Sequence, residues 1–313
     1  MLAFIAKRTL SVIPVIVVVS IVVFLLLRLS PGDPAVIIAG DNADAATIER
    51  IRSALGLGQP LVTQFFIWAG SLLQGDLGIS IFSNIPVTDL ILQRIEPTAS
   101  LALTTLVFAI LIAVPLGTIA GATAGSWLDR SLMLVSVLGF SIPVFVLGYC
   151  LIYFFSLQLR VLPVQGFSSI REGVGPFLSS IALPTMTLGL AYLVLIARIT
   201  RASVLEMMGE DFIRTARAKG VKERVVVTRH ALRNSAIPIL TVIGIGVALL
   251  ISGVVVIETV FNIPGVGRLV VDAILKRDYP VIQGVILLFS GIYVLVNLAI
   301  DIGYAFLDPR VRY

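Results

Sequence analysis

The sequence predicts an all-α membrane protein with six transmembrane helices and both termini in the cytoplasm. Three observations predict it. The chain is 58% hydrophobic with a mean hydropathy of +1.05, more apolar sequence than a soluble domain of 313 residues can hide. That apolar sequence gathers into six runs near or above the ~18–20 residues needed to cross a bilayer. Only 13% of residues are charged, yet nine Lys and Arg fall between positions 198 and 233.

Lys7 and Arg8 precede the first run, residues 9–29. A secretory signal has a shorter apolar core, about 7–15 residues, followed by a small-x-small cleavage site. This run is longer and ends in Leu29-Ser30-Pro31-Gly32-Asp33-Pro34, which predicts an uncleaved first span (1–30) stopped by Pro31 and Pro34. Residues 31–97 form a mixed polar and apolar insert. Within it, 44–55 predicts a short amphipathic helix with Ile48, Ile51 and Leu55 on one face. Residues 61–73 carry Phe65, Phe66 and Trp68 and are too short to span. They fit either the membrane interface, which favours Trp, or packing against other helices. Gly75-Asp76-Leu77-Gly78 and Pro86 read as turns, and 87–96 as a helix leading to Pro97.

The remaining spans are predicted at 98–122, 132–157, 177–197, 237–257 and 281–306, within a core of 98–306, followed by a tail of 307–313. Gly117, Gly121 and Gly125 recur every four residues in the second span, a small-xxx-small pattern that lets helices pack backbone to backbone in lipid. Pro115, Pro143 and Pro184 lie in or at the ends of spans, where neighbours can satisfy the freed carbonyls. Cys150, the single cysteine, excludes an internal disulfide and reads as a small buried hydrophobe. With the N-terminus inside, the cytoplasmic segments hold fourteen Lys and Arg and the longer outer segments nine, the usual positive-inside bias. The net charge of +5 reflects that bias and does not point to nucleic acid.

The same orientation puts a basic loop, 199–236, in the cytoplasm. Gly209, Glu210 and Asp211 open a helix there and Gly220 closes it. Acids at the start and Arg214, Arg217 and Lys219 near the end complement the helix dipole. Phe212, Thr215, Ala216 and Lys219 fall on one face, and Ala216 and Ala218 are small enough for a partner surface to approach closely. A second helix is expected over 221–234. Two readings of this segment stand: a solvated loop whose charges only fix topology, or a docking element for a protein partner.

Several chemistries are excluded. The dipeptide Gly-Lys does not occur, so no ordinary phosphate-binding loop for ATP is present. His230 is the single histidine, which removes paired-histidine metal sites and relays and leaves it a capping or packing role. Neither a metal nor another cofactor is expected. Glu258 and Asp301, with Asn297 nearby, are the polar groups at spans. Intramembrane acids often mark a pathway, but both lie near predicted ends where water is close. Asp301 also stands three residues before Tyr304, within reach of a local hydrogen bond. A secondary transporter would place such groups at mid-membrane, and an intramembrane enzyme would need a second catalytic group, so both classes fit poorly.

Motifs along nearly the whole chain resemble one family, the inner-membrane permease subunits of ATP-binding-cassette importers. The resemblance is to the first of the two permeases in dipeptide, oligopeptide, nickel and glutathione systems. It is carried by Arg8, the 29–34 motif, Leu55-Gly56-Leu57-Gly58-Gln59-Pro60, the 75–78 turn and Pro86-Val87. It continues in Asp211-Phe212-Ile213-Arg214-Thr215-Ala216-Arg217-Ala218-Lys219-Gly220 and His230-Ala231-Leu232-Arg233-Asn234. Phe261-Asn262-Ile263-Pro264-Gly265-Val266-Gly267-Arg268-Leu269 and Arg277-Asp278-Tyr279-Pro280 complete it. The general importer motif has Glu-Ala-Ala, three residues and Gly; aligned on Gly220, this chain has Arg214-Thr215-Ala216, a variant typical of the peptide branch. The resemblance implies a type I importer fold and makes Glu210 to Gly220 the coupling helix, seated on a separate ATPase. It implies that the chain itself hydrolyses nothing. Its partners would be a second, similar permease, two ATPase subunits, a periplasmic or lipid-anchored solute-binding protein, membrane lipid and a peptide substrate. Glutathione or a nickel complex is the alternative cargo, with Ile38-Ala39-Gly40 and the opening motifs closest to dipeptide or glutathione types. The insert and Phe261, Asn262, Pro264, Gly265 and Gly267 would form the outer docking or gating surface.

Overall fold

In a computed structural model the chain is helical through most of the residues described, which are 2–29, 35–36, 44–54 and 57–307. The proline stop at 30–34, residues 38–40 and 55–56, and the tail with Arg310 and Arg312 lie outside them. The helices in chain order are α1 (Leu2–Leu29), α2 (Ala45–Ala54), α3 (Leu61–Leu73), α4 (Val87–Leu92), α5 (Ile95–Ala122), α6 (Trp127–Ser141) and α7 (Val144–Leu151). There follow α8 (Val174–Met208), α9 (Asp211–Ala218), α10 (Glu223–Val225), α11 (Leu232–Asn234), α12 (Ala236–Val260), α13 (Val266–Lys276) and α14 (Tyr279–Leu307). Single π-helical stretches, Ile152–Gln158 and Val226–Ala231, extend α7 and join α10 to α11.

Among the described residues five helices are long and apolar enough to cross a membrane, and a sixth span forms if one bent pair is counted together. That pair corrects the continuous helix expected over 132–157. The chain bends by 104° between Trp127–Gly139 and Val144–Gln158. Pro143 is the cause: it lacks an N–H and pushes the preceding residue out of the helical region, and Ile142 is extended at φ −97°, ψ 121°. Helix α8, at 35 residues, is about 52 Å long, well beyond a hydrocarbon core of about 30 Å. The whole helix therefore cannot lie within the hydrocarbon core.

The chain divides into two compact units. The first comprises Met1–Ala6, Ile95–Arg268 and Leu295–Tyr313. Its core lies where α5, α8 and α12 meet, with Leu101, Leu188, Ile196, Ile257 and Phe261 buried. Gly117 and Gly121 let α5 and α8 touch backbone to backbone. A methyl on Gly117 would sit 2.5 Å from the Ala197 carbonyl oxygen, and one on Gly121 would sit 2.7 Å from that of Arg201. Gly125, the third of the expected stripe, is a turn residue at φ +81° with open space around it. Cys150, on α7, is exposed and not buried as expected.

The second unit comprises Lys7–Arg94 and Leu269–Val294. Here α3 packs on α1, with Phe24 against Phe65 (5.3 Å, edge-on) and Trp68 (5.6 Å), and Arg28 Nε donating to Gln64 (2.9 Å). Phe66, Ile67 and Leu73 on α3 stay exposed, so the segment both packs and presents an apolar face. Asp89 lies in the first turn of α4. Ser80 donates to the buried Asp278 (2.5 Å), tying the 75–86 turns to the start of α14.

Candidate functional site

The first candidate is α9. It starts at Glu210, whose extended backbone (φ −72°, ψ 151°) turns the chain into the helix without a side-chain cap. Its end is set by Gly220 at φ +76°. The Gly220 N–H donates to the Arg217 carbonyl (2.9 Å) and the Val221 N–H to that of Ala216 (3.2 Å). This paired closure needs a left-handed residue, which is why glycine stands there. Arg217 then reaches over the turn to Glu223 with two hydrogen bonds (2.6 and 3.1 Å), and that contact holds the Glu223 carboxyl below its ordinary pKa.

The face α9 turns inward differs from expectation. Ile213 (0% exposed) and Ala216 (7%) pack with Val204, Val226 and Ala231, so Ala216 is a core residue of the loop. Asp211, Phe212, Arg214, Thr215, Arg217, Ala218, Lys219 and Gly220 are exposed, as is Glu210. Only Ala218 of the two small alanines therefore lies where a partner could touch it. In an eight-residue helix with apolar or small residues at 212, 213, 216 and 218, spacing alone does not tell which side meets the chain's own core. His230 is half-buried, and its carbonyl accepts from Asn234 (2.6 Å).

The second candidate is the turn after α12. Glu258 is fully buried. One of its oxygens accepts from the Thr98 hydroxyl (2.5 Å) and the other from the Arg268 N–H (2.8 Å) at the start of α13. Thr98 in turn accepts from the Val266 N–H (2.8 Å). Gly265 and Gly267 lie against the Glu258 carboxylate, and a side chain on either would strike it. Phe261 and Ile263 are in the core, and Gly265 and Gly267 are buried. Of the five residues expected to form a docking surface, only Asn262, at φ +52°, and Pro264 are exposed. The Glu258 carboxylate thus pins this turn to the first turn of α5. Asn297 and Asp301 are half-buried on α14, and the Tyr304 hydroxyl donates to Thr241 (2.8 Å).

One pair escaped sequence reasoning. Arg201 on α8 donates two hydrogen bonds to the buried Asp129 (2.7 and 2.9 Å), which also accepts from the Gly125 N–H (2.8 Å). Ser126 caps α6 by accepting from the Asp129 N–H (3.3 Å). The Ser-x-x-Asp spacing of a capping motif was the available signal.

Residues 113–313 match the family described as "Binding-protein-dependent transport system inner membrane component", and residues 1–102 match its N-terminal counterpart. The chain is 51% identical over 310 residues to "Probable peptide ABC transporter permease protein y4tP" of Sinorhizobium fredii (strain NBRC 101917 / NGR234), covering 99% of each chain. It is 46% identical over 313 residues, 100% of each, to "Glutathione transport system permease protein GsiC" of Escherichia coli O6:H1. Among solved structures, a chain of the inward-facing MetNI methionine ABC transporter superposes with a TM-score of 0.59 at 18% identity. That match covers 71% of this chain and 97% of the other, a likeness of fold.

Proposed function

Because the chain belongs to the family of binding-protein-dependent transport system inner membrane components, and is a permease subunit of an ABC importer with a type I fold, we propose that it passes short peptides across the inner membrane on ATP hydrolysed by partner subunits. The observation that carries the substrate class is the 51% identity over 99% of both chains to a relative named as a peptide permease. Glutathione, itself a tripeptide, is a second reading, favoured by the 46% identity over the full length of the glutathione permease. Uptake of a labelled dipeptide in cells with and without this gene tests the proposal. The expected result is loss of uptake on deletion, with unlabelled short peptides competing better than glutathione. Stronger competition by glutathione moves the cargo to the second reading, and dipeptide uptake unchanged by the deletion removes the substrate assignment.

In this reading the 199–236 loop and both termini are cytoplasmic and the 31–97 insert is outside. The exposed face of α9 seats on one of two ATPases, a second permease completes the pathway, and a solute-binding protein meets the outer face. A short helix with cations at its rim fits an acidic groove, and closure of the ATPases would draw α9 and the attached α8 with it. Support comes from the two-sided construction of α9: Ile213 and Ala216 anchor it to α8 and the following loop, while Phe212, Thr215 and Ala218 are left outward. Glu258 is a positioning group for the outer turn rather than a pathway residue.

Ala218→Trp should leave the amount and melting of the assembled transporter unchanged and lower ATP-driven uptake by tenfold or so, because bulk is added only to the outer face. A Cβ at Gly220 would meet nothing within 4 Å in this chain, so the internal cost expected of Gly220→Val is chiefly left-handed strain of ~1–2 kcal/mol. Ala216→Trp, by contrast, should disrupt the loop itself. Reconstituted uptake and ATPase assays on the three variants separate these outcomes. Full uptake by Ala218→Trp would remove α9 as the coupling surface.

A further inference from the structure

At the end of the first unit that carries the basic loop, two adjoining hollows of about 600 Å³ each run along α5, the π-helical stretch and the start of α12, sharing Val114, Thr228 and Leu232. Their walls are apolar, with Ile119 from α5 and Ile239 from α12. Val114 lies eight residues before the end of α5, so the groove extends about 12 Å down the span. Arg224, Arg229 and Arg233 stand at its rim, all exposed, and none makes an ion pair among the described residues. The rim acid, Glu223, is already engaged by Arg217.

From this juxtaposition we infer that the groove binds an anionic glycerophospholipid of the cytoplasmic leaflet, acyl chain against Val114, Ile119 and Ile239 and phosphate against the three arginines. The inference rests on the orientation given above, which places the basic loop in the cytoplasm. The occupant must be amphiphilic, because the groove is apolar at depth and cationic at its mouth. A soluble anion would leave the apolar walls unfilled, and a zwitterionic lipid would leave the arginine charge uncompensated. Basic pockets between helices on the cytoplasmic side have this character in general, each cation adding about fivefold to the attraction for an anionic surface.

The test is native mass spectrometry of the whole transporter, reconstituted in vesicles of phosphatidylcholine with phosphatidylglycerol and then extracted in mild detergent. Wild type should retain phosphatidylglycerol in preference to phosphatidylcholine. The R224Q/R229Q/R233Q variant should retain it on the order of a hundredfold less tightly, about fivefold for each arginine. Ile119→Trp, which fills the groove and keeps the charges, should also lose it, and this covers the case in which the arginine variant fails to assemble. Equal retention by wild type and Ile119→Trp would overturn the proposal. So would efficient cross-linking of Thr228→Cys to the second permease, since protein would then fill the groove. Lipid retention is read without transport, so failure of the peptide assignment would leave this result standing.

Discussion

Gly117→Leu is expected to remove the folded permease from the membrane. The position has no room: even a methyl group would lie 2.5 Å from the Ala197 carbonyl oxygen and 2.8 Å from the Thr200 Cβ. The first obstacle is backbone of a buried helix, which cannot rotate aside as a side chain can. Overpacking in a core costs about 1–3 kcal/mol and sometimes more, and this contact belongs at the upper end. Separating α5 from α8 would also open the core around Leu188 and Ile196. Gly125→Ala is the control: its neighbourhood is empty and only its φ of +81° resists the change, at a cost of about 1–2 kcal/mol. The amount of monodisperse transporter recovered from membranes checks the pair. Normal recovery of Gly117→Leu would mean that the α5–α8 contact is not as close as described.

Glu258→Leu should lower the melting temperature of the assembled transporter and impair uptake together. Leucine is similar in size but offers no acceptor to the Thr98 hydroxyl or the Arg268 N–H. Stranding a buried donor costs about 1–3 kcal/mol, and each kcal/mol is worth roughly 2–4 °C for a chain core of this size. Glu258→Gln keeps one carbonyl oxygen for one donor and should fall between wild type and Glu258→Leu. A pathway role would give a different pattern, with Glu258→Leu melting normally but transporting poorly. Thermal melts beside uptake for the two variants distinguish the alternatives.

Much of this molecule could be read from residue spacing. The apolar runs fall on helices, because a helix in lipid must satisfy all of its own backbone groups and so needs an uninterrupted apolar stretch, but the ends were not all legible: the run expected over 177–197 belongs to a helix that continues to Met208. The four-residue glycine rhythm located the α5–α8 contact at Gly117 and Gly121, though it carried over falsely to Gly125, where the same residue serves a turn. Gly220 marked the end of α9 because a left-handed closure is a local requirement. What spacing could not supply was long-range pairing. Glu258 stood near a span end, and nothing local showed that Thr98, 160 residues earlier, would hold it. The buried state of Phe261 and the inward turn of Ala216 likewise depend on distant partners. Pro143 was visible as a residue but not as a 104° bend, since proline inside a span is often absorbed with a small kink.

The contacts between α5 and α8 also bear on how such permeases can be exchanged between lineages. The glycine contacts at 117 and 121 and the Asp129–Arg201 ion pair join residues 117–129 to residues 197–204. A hybrid gene with its crossover between codons 129 and 197 takes the two halves from different parents. Its product must then match a glycine to its facing carbonyl and an acid to its base across the junction. A hybrid crossing before codon 117 or after codon 204 inherits both halves together. Viable mosaics of this chain with its relatives should therefore concentrate their junctions outside that interval, and a donor loop should function best when transplanted with α5 and α8 attached.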